Sequence, residues 1–146
     1  MSDKTITQYY SDDHDRLDGL FGQFQALKKS DAANARKCFG QFKAGLERHM
    51  AWEEEILFPD FEAKTGMRDA GPTQVMRMEH QQIRQLLGSI AAHQGVGTEP
   101  EETQLLETLG SHNQKEEQIL YPAIDQRVSA EERRGIYLRM ETVAAP

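Results

Sequence analysis

Two stretches of this chain set an ionisable pair into the middle of an apolar helical stripe, and they spell it the same way. "ERHMAWEEEILFPDF" runs from Glu47 to Phe61, and "GSHNQKEEQILYPAI" from Gly110 to Ile124; both contain H-x-x-x-E-E-x-I-L-[FY]-P. Residues four apart on a helix differ by about 40° in direction and about 6 Å in height. His49 therefore points with Glu53, and His112 with Glu116. The first pair falls between Leu46 and Ile56 on its stripe, the second between Leu109 and Ile119. An ionised carboxylate in such a stripe is costly unless it is paired or holds a metal. Two that converge without a cation repel and are forced to protonate. Whatever fold the chain adopts has to bring something positive between these stripes.

The duplication reaches further. "DHDRLDGLFGQF", from Asp13, matches "EHQQIRQLLGSI", from Glu79: His14 falls on His80, Leu17 on Ile83, Phe21 on Leu87 and Phe24 on Ile90. The offset is 66 residues there and 63 between His49 and His112. Each half thus reads as one helical hairpin carrying one lone histidine and one His-x-x-x-Glu. Apolar spacing of three and four runs throughout, with no sustained strand alternation. The first helix is expected from about Ser11, as N-cap, to Lys28; the second from Ser30 or Asp31, with a stop or kink where Pro59 disfavours helix at Phe58. Lys64 to Gly71 reads as a loop. The third helix opens at Pro72 and runs to about His93. Thr98 and Glu101 make a capping-box pattern before the fourth, which reaches about Arg127 with the same kink at Pro122. Ser129 and Glu132 repeat the pattern before a short fifth helix ending near Met140, and "ETVAAP" reads as a frayed tail. The expected fold is all-α: an antiparallel up-down-up-down four-helix bundle with an internal pseudo-two-fold, and the fifth helix as an appendage. The expectation is one domain, 1–146, with its bundle core at about 11–127 and the short helix at about 129–141.

Composition narrows the function. The net charge of −7 argues against nucleic acid or an anionic membrane surface as a partner. One cysteine, Cys38, excludes a disulfide framework within the chain and a thiolate-rich metal site; it reads as a small core residue. The N-terminus has no apolar secretory segment, and no run approaches a membrane span, so a soluble cytoplasmic protein is expected.

Packing the hairpins face to face brings His14, His49, His80 and His112 to within about one turn of a common layer. Four imidazoles divide two per metal, and two carboxylates can bridge. The pattern therefore predicts a dinuclear site of His14, His49, Glu53, His80, His112 and Glu116, with open positions for water or a small ligand. Imidazole and carboxylate without thiolate suit iron, with manganese and zinc as rivals. The order of residues excludes two other helical sites: the Glu-x-x-His of ferritin-like carboxylate proteins and the H-E-x-x-H of zincins.

The segments "DDHDRLD", "RHMAWEEEILFP", "MEHQQIRQLL" and "SHNQKEEQILYP" resemble those of the hemerythrin-like, HHE cation-binding family, over about Ser11 to Arg127. That resemblance implies two iron ions bridged by Glu53, Glu116 and an oxo or hydroxo species inside a four-helix bundle. It also implies a small diatomic partner, oxygen or nitric oxide, bound for sensing, storage or protection. Oxygen-carrying hemerythrins add a fifth histidine four residues from the one on the third helix; here Met76 and Arg84 stand there, which weighs against oxygen transport. Iron-centre repair proteins also resemble the pattern but carry an N-terminal Cys-bearing domain, which is not expected here. Iron donation or repair, and peroxide or nitric oxide reduction, stand as alternatives, and a structural-metal interaction module as a third reading.

Other polar residues divide less sharply. Asp18, four after His14, reads as a surface residue or an outer contact of the metals. Glu54 and Glu117 point about 100° from the ligand carboxylates and read as partners of the histidines or as interhelix ion pairs, and Glu79 is equally open. His93 reads as a helix-end histidine outside the site. Trp52, Phe58 and Tyr121 read as packing residues, and Gly22 and Gly88 as points of close helix approach.

Overall fold

The computed structural model describes residues 3–143. Among them the only regular structure is helical. α1 spans Ile6–Leu27, α2 Ala32–Trp52, α3 Phe58–Thr65, α4 Pro72–Ala92, α5 Glu99–Lys115, α6 Tyr121–Asp125 and α7 Ala130–Met140. Two π-turns, π1 over Glu53–Leu57 and π2 over Glu116–Leu120, join α2 to α3 and α5 to α6. α1 packs on α2 and α6, and α4 packs on α5 and α2. The four long rods form the up-down-up-down bundle that the periodicity predicts. The expected tail begins at Glu141, and its last residues, 144–146, lie outside the described part.

The ends follow local chemistry. Asp31 caps α2, Pro72 opens α4, and Ser129 with Glu132 closes a reciprocal capping box on α7. The start of α1 differs from expectation. Ser11 lies inside the helix, and the cap is Thr5, whose hydroxyl accepts from Gln8 N–H while the Gln8 side chain accepts from Thr5 N–H. Asp125 reinforces that end, accepting from the N–H groups of Ile6 and Thr7 at 2.8 and 3.1 Å. Thr98 stands at the N-cap of α5 but makes no side-chain cap. It is buried, and its hydroxyl donates instead to Glu102 at 2.7 Å.

Neither proline ends its helix. The N–H before each proline bonds five residues back, Phe58 to the Glu53 carbonyl and Tyr121 to the Glu116 carbonyl. One extra residue in the turn makes room for a ring that carries no N–H. The expected kink is thus a π-turn. Ile56, in the first, is buried in the cluster that α7 joins, but Ile119, at the matching place in the second and expected on the buried stripe, is 63% exposed.

Two apolar clusters flank the histidines. Phe21, Phe24, Phe39, Phe42, Ile83 and Leu87 fill the end near the α1–α2 and α4–α5 turns. Tyr10, Leu57, Phe58, Met76, Leu120 and Ile124 fill the other. Each fully buried large side chain contributes about 1.5–3 kcal/mol. The close approach between helices occurs at Gly45, where an added Cβ would lie 2.8 Å from Leu17 Cδ2. Gly22 and Gly88, expected in that role, are exposed with nothing within 4 Å. Cys38 is half-buried at the edge of the first cluster. α7 closes the second cluster: Tyr137 stacks on Tyr9 at 4.7 Å, and Trp52 Nε1 donates to the Met140 carbonyl at 3.1 Å. It is part of the core rather than an appendage.

Candidate metal centre

Between the two apolar clusters lies a polar layer. α1 supplies His14, α2 His49, α4 His80 and α5 His112, and the first residues of π1 and π2 supply Glu53 and Glu116. The structure brings all six together, none more than 3% exposed. Glu116 Oε1 lies 3.2 Å from His14 Nε2 and 3.2 Å from His112 Nε2. Glu53 Oε1 lies 3.1 Å from His80 Nε2, and its Oε2 3.7 Å from His49 Nε2. Each carboxylate therefore spans the two hairpins. The donor atoms of Glu53, His80, His112 and Glu116 lie within 4.8 Å of one another, and so do those of His14, His49 and Glu116. The two groups share Glu116.

The outward face of every imidazole is held by a carboxylate. Nδ1 of His14 meets Glu117 at 2.6 Å, His49 meets Asp13 at 2.8 Å, His80 meets Glu54 at 2.6 Å, and His112 meets Glu79 at 2.9 Å. The repeat is kept here too: Asp13 corresponds to Glu79, and Glu54 to Glu117. Such a contact places the proton on Nδ1 and turns the Nε2 lone pair inward. Three of these carboxylates are themselves braced by cations, Asp13 by Arg16, Glu54 by Arg84 and Glu79 by Lys115. Burial raises the Glu54 carboxyl, but hydrogen bonds from His80 and Arg84 overrule it and hold it down at about 2.

Inside the layer, polarity is left over. Glu53 Oε1, both oxygens of Glu116 and His80 Nε2 are buried with no hydrogen-bond partner in the protein. Lone pairs facing lone pairs at 3.1–3.2 Å repel unless a proton or a metal ion lies between them. Without a metal, protons do this work. Burial depresses the His49 imidazolium, yet the Glu53 charge and the Asp13 hydrogen bond carry it up to about 10. His112, likewise buried, is carried up to about 9 by Glu116. The donors suit a metal as well as they suit protons: two donors each about 2 Å from one ion sit roughly 2.8–3.4 Å apart.

Three residues have parts that the sequence reading did not assign. Asp13 orients His49; its repeat mate Glu79, already suspect, was the available signal. Arg84 grips Glu54 through two nitrogens at 2.8 and 3.0 Å. Tyr121, expected as packing, places its hydroxyl inside the layer, 2.6 Å from Glu53 Oε2. It lies five residues after Glu116, out of phase on an α-helix and brought into phase by the π-turn. Asp18 is exposed and His93 caps the end of α4 with Nδ1 on the Ser89 carbonyl; neither joins the cluster.

Known proteins resemble this chain in sequence. The chain is 31% identical to an uncharacterized hemerythrin-like protein of Schizosaccharomyces pombe, over 82% of this chain and 59% of that protein. It is 28% identical to the iron-sulfur cluster repair protein YtfE of Escherichia coli O157:H7, over 82% of this chain and 63% of the relative. It is 29% identical to a protein named DNA nickase of Nostoc sp., over 89% of this chain and 36% of the relative. The chain thus spans between about a third and two thirds of the length of these curated relatives. No solved structure matches it significantly. The sequence profile of the hemerythrin HHE cation-binding domain covers residues 5–124, all four long helices and both π-turns, and the chain belongs to that family.

Proposed function

We propose that the layer holds two iron ions and that the protein binds a small diatomic ligand, oxygen or nitric oxide, for sensing, storage or protection. His14 and His49 would hold one iron, His80 and His112 the other, and Glu53 and Glu116 would bridge them. The observation that carries this reading is the convergence of four inward Nε2 lone pairs on two buried carboxylates with unsatisfied oxygens. Such a pair of irons supplies reversible ligand binding and one- or two-electron chemistry. The chain's own residues do the rest. Asp13, Glu54, Glu79 and Glu117 fix the imidazole tautomers. The two apolar clusters keep bulk water from the layer, and Met76 and Arg84 stand at the two places on α4, four residues from His80, where a further histidine ligand would be.

The test is anaerobic loading with ferrous ion, a metal count, and absorption spectra before and after exposure to oxygen and nitric oxide. About two irons per chain are expected, with near-ultraviolet bands that change with the ligand and vanish in Glu53→Ala/Glu116→Ala. Two irons with spectra indifferent to both gases would refute ligand binding; no bound metal would refute the site. Iron donation or repair is the second reading, favoured by the likeness to a protein named for iron-sulfur cluster repair. Transfer of the loaded iron to a metal-depleted iron-sulfur protein would favour it over gas binding.

A further inference from the structure

The internal repeat contains its own control experiment. Phe58 and Tyr121 occupy equivalent positions, each directly following a π-turn and preceding a proline. Phe58 stacks on His80 at 5.9 Å and 16°, and Tyr121 on His14 at 5.8 Å and 29°. The two aromatic rings therefore bear the same relation to the two halves of the centre. Only one of them carries a hydroxyl.

That hydroxyl lies among donor atoms. Tyr121 Oη is 3.3 Å from His49 Nε2, 3.4 Å from His14 Nε2 and 2.6 Å from Glu53 Oε2. Two donors bound to one metal about 2 Å away sit roughly 2.8–3.4 Å apart. The phenol oxygen meets that spacing to both imidazoles of the first half, as Glu116 Oε1 does to His14 at 3.2 Å. It is fully buried, so no water competes for its lone pairs from the bulk.

We propose that Tyr121 is a seventh protein ligand, given to the metal held by His14 and His49, so that the two metals of the centre are chemically unlike. The proposal rests on the dinuclear reading above. On binding ferric ion the phenol O–H bond is replaced by an oxygen–metal bond, and the proton leaves to solvent with those displaced from the imidazoles. No electron moves in this step. The His80 and His112 metal has only the hydrocarbon edge of Phe58 at the matching place. That metal keeps one more open position, and the exogenous ligand is directed to it.

The experiment uses the full chain loaded with iron and oxidised, with iron counted by elemental analysis. A phenolate on ferric ion gives a visible charge-transfer band whose resonance Raman spectrum contains tyrosine ring modes. Those modes should appear in the wild type and shift when the protein is made with ring-deuterated tyrosine. In Tyr121→Phe the band should be lost while about two irons per chain remain. Two irons with no tyrosine modes would overturn the proposal and leave the dinuclear reading intact, the phenol then serving only as a donor to Glu53. Modes that persist in Tyr121→Phe would overturn it in favour of Tyr10, whose ring lies 5.2 Å from His49. Failure to hold iron at all would overturn both. The isotope shift in the wild type shows that a tyrosine binds the iron, and the iron count in Tyr121→Phe shows that the variant's centre is intact, so the lost band is assigned to Tyr121.

Discussion

Loading this centre with metal should drive protons into the solvent, and the number can be worked out from the layer. Without metal, His49 is held up at about 10 and His112 at about 9. At pH 7.5 both are therefore protonated on both nitrogens almost completely. A metal needs the Nε2 lone pair, so each must lose one proton. About two protons per chain are expected from this pair alone, and His80, also raised, adds to them. The apparent affinity for ferrous or zinc ion should then rise steeply between pH 7 and 9 and flatten above about 10. Calorimetric titration in buffers of differing protonation enthalpy reads the count directly. Release of less than one proton per chain at pH 7.5 would refute the picture of a layer held together by protonated imidazoles. Stability supplies an independent check. The folded His112 value lies above the ordinary 6.5, so its contribution is fully present below pH 6.5 and is lost as the pH rises through about 9. The displacement is worth on the order of 3 kcal/mol. Metal-free protein should therefore melt at lower temperature as the solution becomes alkaline, and the loaded protein should show a flatter profile.

Four further outcomes are expected. Asp13→Asn and Glu79→Gln each weaken the hold on one imidazole and should lower metal affinity about 10–100-fold, with helix content by circular dichroism unchanged. Glu53→Gln removes the charge that faces both His49 and His80; elemental analysis should find fewer than two metals per chain, and the alkaline loss of stability should shrink. Gly45→Val drives a branched side chain against Leu17 and should cost about 1–3 kcal/mol in chemical denaturation. Gly22→Ala, on an exposed helix surface, should instead stabilise by roughly 0.5–1 kcal/mol.

The parts of the molecule that were legible from sequence were those with a period. The four long helices, their pairing and the meeting of six ionisable residues all follow from spacings of three and four and from two nearly equal offsets. What escaped was set by single departures from the period. Ser11, followed by two aspartates, looks like a helix start; Thr5 starts the helix because Gln8 can return the hydrogen bond, and nothing in the apolar pattern distinguishes the two. The π-turns add one residue to the stripe, which brings Tyr121 inward; Ile56 is buried because α7 packs over the first π-turn, while Ile119, at the matching place in the second, faces out. Gly22 and Gly88 recur at matched positions, but the close contact fell at Gly45, where the facing residue on α1 is large. Asp13 was hidden by its place in the first helix, where an acidic residue has an ordinary reason to be.

The crossing of the two carboxylates between hairpins means that neither hairpin by itself holds a complete set of facing groups. The first hairpin, complete by residue 65, contains His14, His49 and Glu53. The carboxylate that faces His14 is Glu116, and the imidazole that faces Glu53 Oε1 is His80. Without the second hairpin, Glu53 Oε1 and His14 Nε2 would each lose the group that faces them. The polar layer is therefore a property of the packed pair, and a breach between the hairpins would open it at both carboxylates at once.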